Sequence, residues 1–277
     1  MTQFRTFSGI ALAALTCTTA AVPSAHAQML ATDISDVVEV TMLPGWREAD
    51  GTHIAGLRIQ LAPGWKTYWR APGDGGVPTR VDLSASHNLT DSRVLWPTPE
   101  VFRQNGMRSI GYRDEVVVPL RLQAAADGEI ALEGHMDFGV CEEVCLPVRL
   151  DLQHLLPADG AANVDTLSAA LENRPMPAAQ ADMRNIECHV HYGADHGASI
   201  EVTLDMPAPG GRSEALVIEP AEPAMWVSEP VLRRNGDVLR ASAEIVNPLG
   251  DAFRLDLSKM RFTVLTTTDA VDIQGCE

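Results

Sequence analysis

Apolar positions along this chain recur mostly every second residue, the period of a strand with one buried face. Within residues 36–43, Val38, Val40 and Met42 alternate with polar neighbours. Residues 53–61 repeat the pattern: Ala55, Leu57, Ile59 and Leu61 lie on one side, and Ile54, Gly56, Arg58 and Gln60 on the other. Gly56 leaves a gap on its face. In the stretch 64–70, Trp65, Thr67 and Trp69 share one face, while Lys66, Tyr68 and Arg70 share the opposite one. Pro72-Gly73-Asp74-Gly75-Gly76 follows, a composition that specifies a tight turn. Further strands are expected at 80–83, 92–95 and 115–122. Around residue 140, Ile130, Leu132 and Met136 precede and Val148, Leu150, Leu152 and Leu156 follow a polar, Cys-containing interruption. Two half-buried strands joined by a hairpin tip are expected there.

The tip carries Cys141-Glu142-Glu143-Val144-Cys145. A disulfide requires Cα atoms about 4.4–6.8 Å apart. Four extended steps of about 3.3 Å would separate these cysteines by roughly 13 Å. If they pair, the stretch between them is a turn, and the strands on either side make it the tip of the hairpin. Pro147, which has no N–H for a sheet ladder, suits the edge of such a loop.

After residue 156 the pattern breaks. Residues 157–162 read as a linker, followed by a short helix through Leu167, Ala170 and Leu171 with Asn163 or Asp165 as cap and Pro175 as stop. Strands resume at 187–192, 199–205, 215–219, 238–246 and 261–267. The expected fold is all-β, with two immunoglobulin-like β-sandwich domains, 28–157 and 181–277, joined by a linker with a short helix at 158–180. An internal match between the halves is not evident.

Composition sharpens this picture. Of 277 residues, the first 27 read as an export signal: Arg5, an apolar run from Ile10 to Val22, and the small-x-small site Ala25-His26-Ala27. Cys17 would leave with it, unless it were an acylated lipoprotein cysteine, which the bulky Thr16 disfavours. The remainder holds 20 basic against 37 acidic residues, which argues against nucleic acid or an anionic membrane as partner. A membrane-length apolar run is not expected in the mature chain. Four cysteines remain, Cys141, Cys145, Cys188 and Cys276. Of the three connectivities they allow, 141–145 with 188–276 is the most natural.

Gly64-Trp65-Lys66-Thr67-Tyr68-Trp69-Arg70 with Pro72-Gly73-Asp74, together with Cys141-x3-Cys145-x-Pro147, resembles the exported N-terminal region of DsbD-type thiol–disulfide reductases, closest to the copper-sensitivity-suppressor subfamily. The resemblance implies an immunoglobulin-like domain in the periplasm. Its cysteine pair takes electrons from a membrane electron donor and passes them to thioredoxin-like exported proteins, in settings such as copper tolerance and cytochrome c biogenesis. Full-length relatives continue into a transmembrane electron-transfer domain and a thioredoxin-like domain, and this chain ends before either, so a separate donor is expected. The three-residue spacing is shorter than in the best-known members.

Each candidate has a plainer reading beside it. A five-residue disulfide loop restricts the unfolded chain little, so Cys141 and Cys145 are expected to serve chemistry; Cys145, followed by Leu-Pro, is nominated to form the mixed disulfide and Cys141 to resolve it, with the reverse order left open. Glu142 and Glu143 disfavour a thiolate unless a cation such as Lys66, Arg70 or Arg149 approaches. Cys188–Cys276 is expected to be structural. Large aromatics usually fill sandwich cores; Tyr68, with Trp69 and Tyr112, is nominated instead as cap or partner-docking group, Tyr68 because it points away from the tryptophans. No bound cofactor is required. The alternatives are a copper(I)-handling protein using the same thiolates and a non-catalytic adaptor. His135 and Met136 point to opposite faces, and His189 and His191 lack a third ligand, so no metal site is expected. Phosphate-loop and hydrolase motifs are absent from the sequence.

Overall fold

The computed structural model describes residues 33–104, 106–193, 197–222 and 225–276. The expected export signal, with Cys17, lies outside the described residues. Among the described residues the first half contains ten strands: β1 (Val38–Arg47), β2 (Thr52–Leu61), β3 (Lys66–Tyr68), β4 (Arg80–Asp82), β5 (Leu89–Val94), β6 (Glu100–Gln104), β7 (Met107–Arg113), β8 (Glu115–Ala124), β9 (Ile130–Cys141) and β10 (Cys145–Leu156). One sheet runs β1-β2-β8-β5; the other runs β10-β9-β3-β7-β6, with β4 also beside β9. Leu57, Ile59, Val118, Leu120 and Leu122 from the first meet Trp69, Ile110, Phe138 and Val140 from the second in one core.

Two short strands share β9 as neighbour. Lys66 pairs with Cys141 and Thr67 with Val140, whereas Arg80 pairs with Asp137 and Val81 with Met136. Residues 69–79, which include the Gly-rich turn, therefore leave the sheet between β3 and β4 and return to the same strand.

Helix α1 (Val164–Glu172) follows. Asn163 occupies the cap position in a left-handed conformation and makes no side-chain capping bond; its carbonyl accepts from Leu167 N instead. Leu167 is fully buried. A Cβ at Gly56 would lie 2.5 Å from Leu167 Cδ2, so the gap in β2 is the seat of the helix.

The second half contains β11 (Met176–Pro177), β12 (Asn185–Tyr192), β13 (Gly197–Asp205), β14 (Ala215–Glu219), β15 (Trp226–Val227), β16 (Val231–Asn235), β17 (Val238–Val246), β18 (Arg261–Leu265) and β19 (Ala270–Gln274). Its sheets run β11-β19-β18-β14 and β12-β13-β17-β15, with β16 on β17. The Cys188–Cys276 disulfide, with a Cα separation of 5.9 Å, joins β12 of one sheet to the chain just past β19 of the other.

The β11-β19-β18-β14 sheet is buried on both sides. Leu216, Ile218, Phe262 and Val264 belong to the second core. Ala215, Val217, Leu265 and Ala270, one residue out of phase, belong to the core of the first sandwich. The run Ala215-Leu216-Val217-Ile218 is apolar throughout for this reason. The architecture is all-β, as expected, and the two sandwiches meet through this middle sheet.

Strands β6, β7, β11, β15, β16 and β19 are not anticipated by the alternation, and β11 lies within the expected linker. In β7, Arg108 and Ser109 are buried beside Ile110, Gly111 and Tyr112. A strand covered on both faces has no polar side to mark its period.

Candidate functional site

The site is built on the outer face of the β10-β9-β3-β7-β6 sheet. Directly opposed residues in antiparallel strands point to the same side. Cys145 opposes Cys141 and Pro147 opposes Gly139; Lys66 opposes Cys141; Tyr68 opposes Gly111. All of these face away from the core that Val140, Thr67 and Tyr112 face.

Cys141 ends β9, Cys145 begins β10, and Glu142–Val144 form the turn. The two cysteines are bonded, with Cα atoms 4.2 Å apart. Their surroundings differ. Cys141 is 1% exposed, whereas Cys145 is exposed, as are Glu142, Glu143 and Val144.

Tyr68 touches both sulfurs. Its hydroxyl lies 2.9 Å from Cys141 Sγ and donates to it; Cys145 Sγ is 3.4 Å away, as is the carbonyl of Gly75. Burial pushes the Tyr68 pKa up from its ordinary value, so the group stays a neutral donor. The ring is wedged between two glycines. A Cβ at Gly139 would stand 3.3 Å from Tyr68 Cδ2, and one at Gly76 would stand 2.8 Å from Tyr68 Cδ1. The 69–79 loop therefore lies over the ring and leaves Tyr68 2% exposed. Thr79 Oγ1 donates to the Tyr68 carbonyl at 2.6 Å where the loop rejoins the sheet.

The other two nominated aromatics sit elsewhere. Trp69 is wholly buried in the first core, where strand parity sends it, with the Arg70 guanidinium stacked 3.7 Å from its ring centroid. Tyr112 is buried on the core face of β7, and its hydroxyl donates to the Pro97 carbonyl at 2.8 Å. Neither side chain is available at the surface to cap the disulfide or dock a partner; that nomination is corrected for both. What covers Tyr68 is backbone, Gly75 and Gly76, which the sequence marked only as a turn.

The three cations considered for the cysteines are engaged elsewhere. Lys66 Nζ donates to Gln104 Oε1 at 3.0 Å and lies over the Phe102 ring. Arg70 pairs with Glu219, and Arg149 pairs with Asp137, whose carboxyl it holds below the usual carboxylate range. His135 lies on the outer face, 3.5 Å from Asp137, while Met136 is buried in the core. Among the described residues no group of three or more His, Cys, Asp or Glu is arranged to hold a metal ion, and no helix is long and apolar enough to cross a membrane.

Residues 39–157 match the family described as thiol:disulfide interchange protein DsbD, N-terminal. Among curated proteins, none matches the chain. Among solved structures, the chain is similar to the N-terminal periplasmic domain of ScsB from Proteus mirabilis, with a TM-score of 0.66 and 24% identity over 86% of this chain and 92% of that one. Residues 39–157 thus match the family model of DsbD N-terminal domains, and the chain shares the fold of the ScsB periplasmic domain.

Proposed function

We propose that this is an exported protein that exchanges disulfides with partner proteins through Cys141 and Cys145, acting outside the cytoplasmic membrane between a membrane electron donor and thioredoxin-like exported proteins. One observation carries the reading. The bond joins an exposed cysteine to a buried one, and the buried one accepts a hydrogen bond from Tyr68.

The asymmetry supports one assignment of roles. A donor thiolate attacks Cys145 Sγ, the accessible end. The Cys141–Cys145 bond breaks, a donor–Cys145 mixed disulfide forms, and Cys141 leaves as a thiolate. Leaving sulfurs depart faster when their thiolate is stabilised. A buried thiolate without a donor would be costly; the Tyr68 hydroxyl, already 2.9 Å away, supplies a charge-assisted bond. The donor's second thiolate then attacks its own half of the mixed disulfide and releases Cys145, leaving the pair reduced. In the onward step the Cys145 thiolate attacks a client disulfide, and Cys141 attacks Cys145 Sγ to expel the reduced client. Two electrons move in each half, and no cofactor takes part.

Val144, 66% exposed, lies on the turn next to Cys145 in the chain, and Val77, 39% exposed, on the covering loop lies against Gly139 of β9. Val144 offers a partner an apolar contact next to the cysteine it attacks.

The test is the redox equilibrium of the protein in graded glutathione buffers, with thiols counted by alkylation and mass spectrometry. Reversible titration of 141–145 while 188–276 stays oxidised is expected. If 141–145 resists reduction as a structural bridge does, the exchange reading fails and an adaptor role replaces it.

A further inference from the structure

The loop over Tyr68 begins at Arg70, and Arg70 is held by the other half of the molecule. Its Nε and Nη2 donate to Glu219 Oε1 and Oε2, both at 2.9 Å. Nη2 also lies 3.4 Å from Thr263 Oγ1 and 4.0 Å from Asp272 Oδ1. Glu219 ends β14, directly opposite Arg261 of β18, and Asp272 of β19 opposes Thr263. Arg261 in turn forks onto Asp272. Two guanidinium groups and two carboxylates thus form a neutral cluster on the face of the middle sheet that meets the first sandwich. The Arg70 and Glu219 side chains are 13% and 18% exposed. Bidentate geometry and low exposure set this pair apart from the many surface ion pairs, which contribute little.

The rest of the loop is anchored unevenly. The Pro72 carbonyl accepts from Ile110 N at 2.8 Å, and Thr79 holds the returning end. Between them, Gly75 reaches the site through its carbonyl, 3.4 Å from the Tyr68 hydroxyl. A cleft of about 570 Å³ opens behind the loop, lined by Pro72, Asp74 and Gly76 on one side and Pro220, Met225 and Trp226 on the other. The loop has room to leave Tyr68, and Arg70 is its fixed foot.

We propose that Glu219 is a positioning residue for the exchange site: by gripping Arg70 it keeps the loop pressed on Tyr68, and so keeps the Tyr68 hydroxyl on Cys141. This rests on the exchange reading and adds to it that the second sandwich tunes the pair. Removing the grip frees the ring between Gly76 and Gly139, withdraws the donor from the Cys141 thiolate and favours the disulfide.

The test is the equilibrium of 141–145 with dithiothreitol across pH 6–9. Reduced dithiothreitol attacks Cys145, then closes on itself to its cyclic disulfide, leaving the protein dithiol. An equilibrium is independent of how easily the reagent enters. Glu219→Gln should shift the constant toward the disulfide by about fivefold, the low end of known couplings between sites, and should move the bend of the pH profile upward. Tyr68→Phe should do the same, and Glu219→Gln should add nothing in the Tyr68→Phe background. The pair Arg70→Met with Glu219→Leu removes the grip without stranding a buried charge and should match Glu219→Gln. Cys188–Cys276 reports on the fold in every sample and should stay oxidised. An unchanged constant in Glu219→Gln overturns the proposal. So does an effect that persists without the Tyr68 hydroxyl, or a charge-free pair that behaves like the parent. Because dithiothreitol reduces accessible disulfides over a wide range of potentials, these outcomes are read separately from the glutathione titration that tests exchange itself.

Discussion

A single hydroxyl separates the two sulfurs of the pair in character. Cys141 and Cys145 are four residues apart and covalently joined, yet one is sealed beneath Tyr68 and the other faces solvent. Under the proposed exchange, the burial difference and not the spacing would choose the cysteine a partner meets. It also makes the order of events testable. With Cys141→Ser, Cys145 keeps its access but loses its resolving neighbour, so a captured partner stays bound as a mixed disulfide. With Cys145→Ser, the remaining thiol is buried and capture should fall to a trace. Non-reducing electrophoresis after mixing each variant with an oxidised thioredoxin-like protein checks this; equal trapping by both would mean that the loop opens and that burial does not choose. The position of Tyr68 on the face of the cysteines was legible in the sequence because strand parity places it opposite Trp65 and Trp69. The same parity put Trp69 in the core, so nominating it as a cap overrode a signal that was there. Tyr112 was harder to place, since β7 carries buried Arg108 and Ser109 and shows no alternation.

Among the elements, the hairpin was readable and its cover was not. The flanks of the cysteines alternate cleanly because one face of β9 and β10 meets the core. A Gly-rich turn signals freedom of φ, but gives no hint that it folds back over an aromatic ring. Glycine records close approach elsewhere in the sheet: a Cβ at Gly111 would stand 2.0 Å from the Thr67 carbonyl oxygen. At the other sheet, β1 breaks register between Leu43 and Trp46, with Gly45 at φ +71°. His53 secures this bulge: its Nε2 lies 2.6 Å from the Pro44 carbonyl, and Nδ1 accepts from Arg47 Nε at 3.4 Å. Burial, with Arg47 adding to it, holds the His53 pKa below its ordinary value. The unfolded chain therefore takes up this proton more readily than the folded one. Stability from His53 is present above the unfolded value of about 6.5 and is lost as pH falls from there through the folded value. Melting temperature should drop between pH 7.5 and 5, and His53→Gln, uncharged throughout, should flatten that slope while lowering the plateau. A slope unchanged by the substitution would place the acid sensitivity elsewhere.

The whole molecule is held together across long sequence distances that local patterns do not report. Arg70 and Glu219 are 149 residues apart, and nothing in either neighbourhood announces the other. The uninterrupted apolar run Ala215–Ile218 did carry a signal, since a strand with no polar face is buried on both; read simply as a short strand, it concealed the sheet that joins the two sandwiches. The Cys188–Cys276 bond acts at this scale. It spans 88 residues and fastens the last strand of the chain, β19, whose register with β18 completes the cluster that holds Arg70. In the chain-entropy account a loop of that length restricts the unfolded state by about 4–5 kcal/mol, against about 2 kcal/mol for the five-residue 141–145 loop. Replacing both Cys188 and Cys276 by Ser should therefore cost most of that amount in denaturant unfolding, while replacing Cys141 and Cys145 should cost about half as much or less. The two effects also differ in kind. Loss of 188–276 loosens β19 of the middle sheet, and with it Asp272 and Arg261, so the covering loop should feel it through the contacts of Arg70 with Glu219 and Asp272. If the Cys188→Ser, Cys276→Ser protein unfolds at unchanged denaturant concentration, the bond is not the staple that its span implies, and the fold is held by the shared apolar sheet alone.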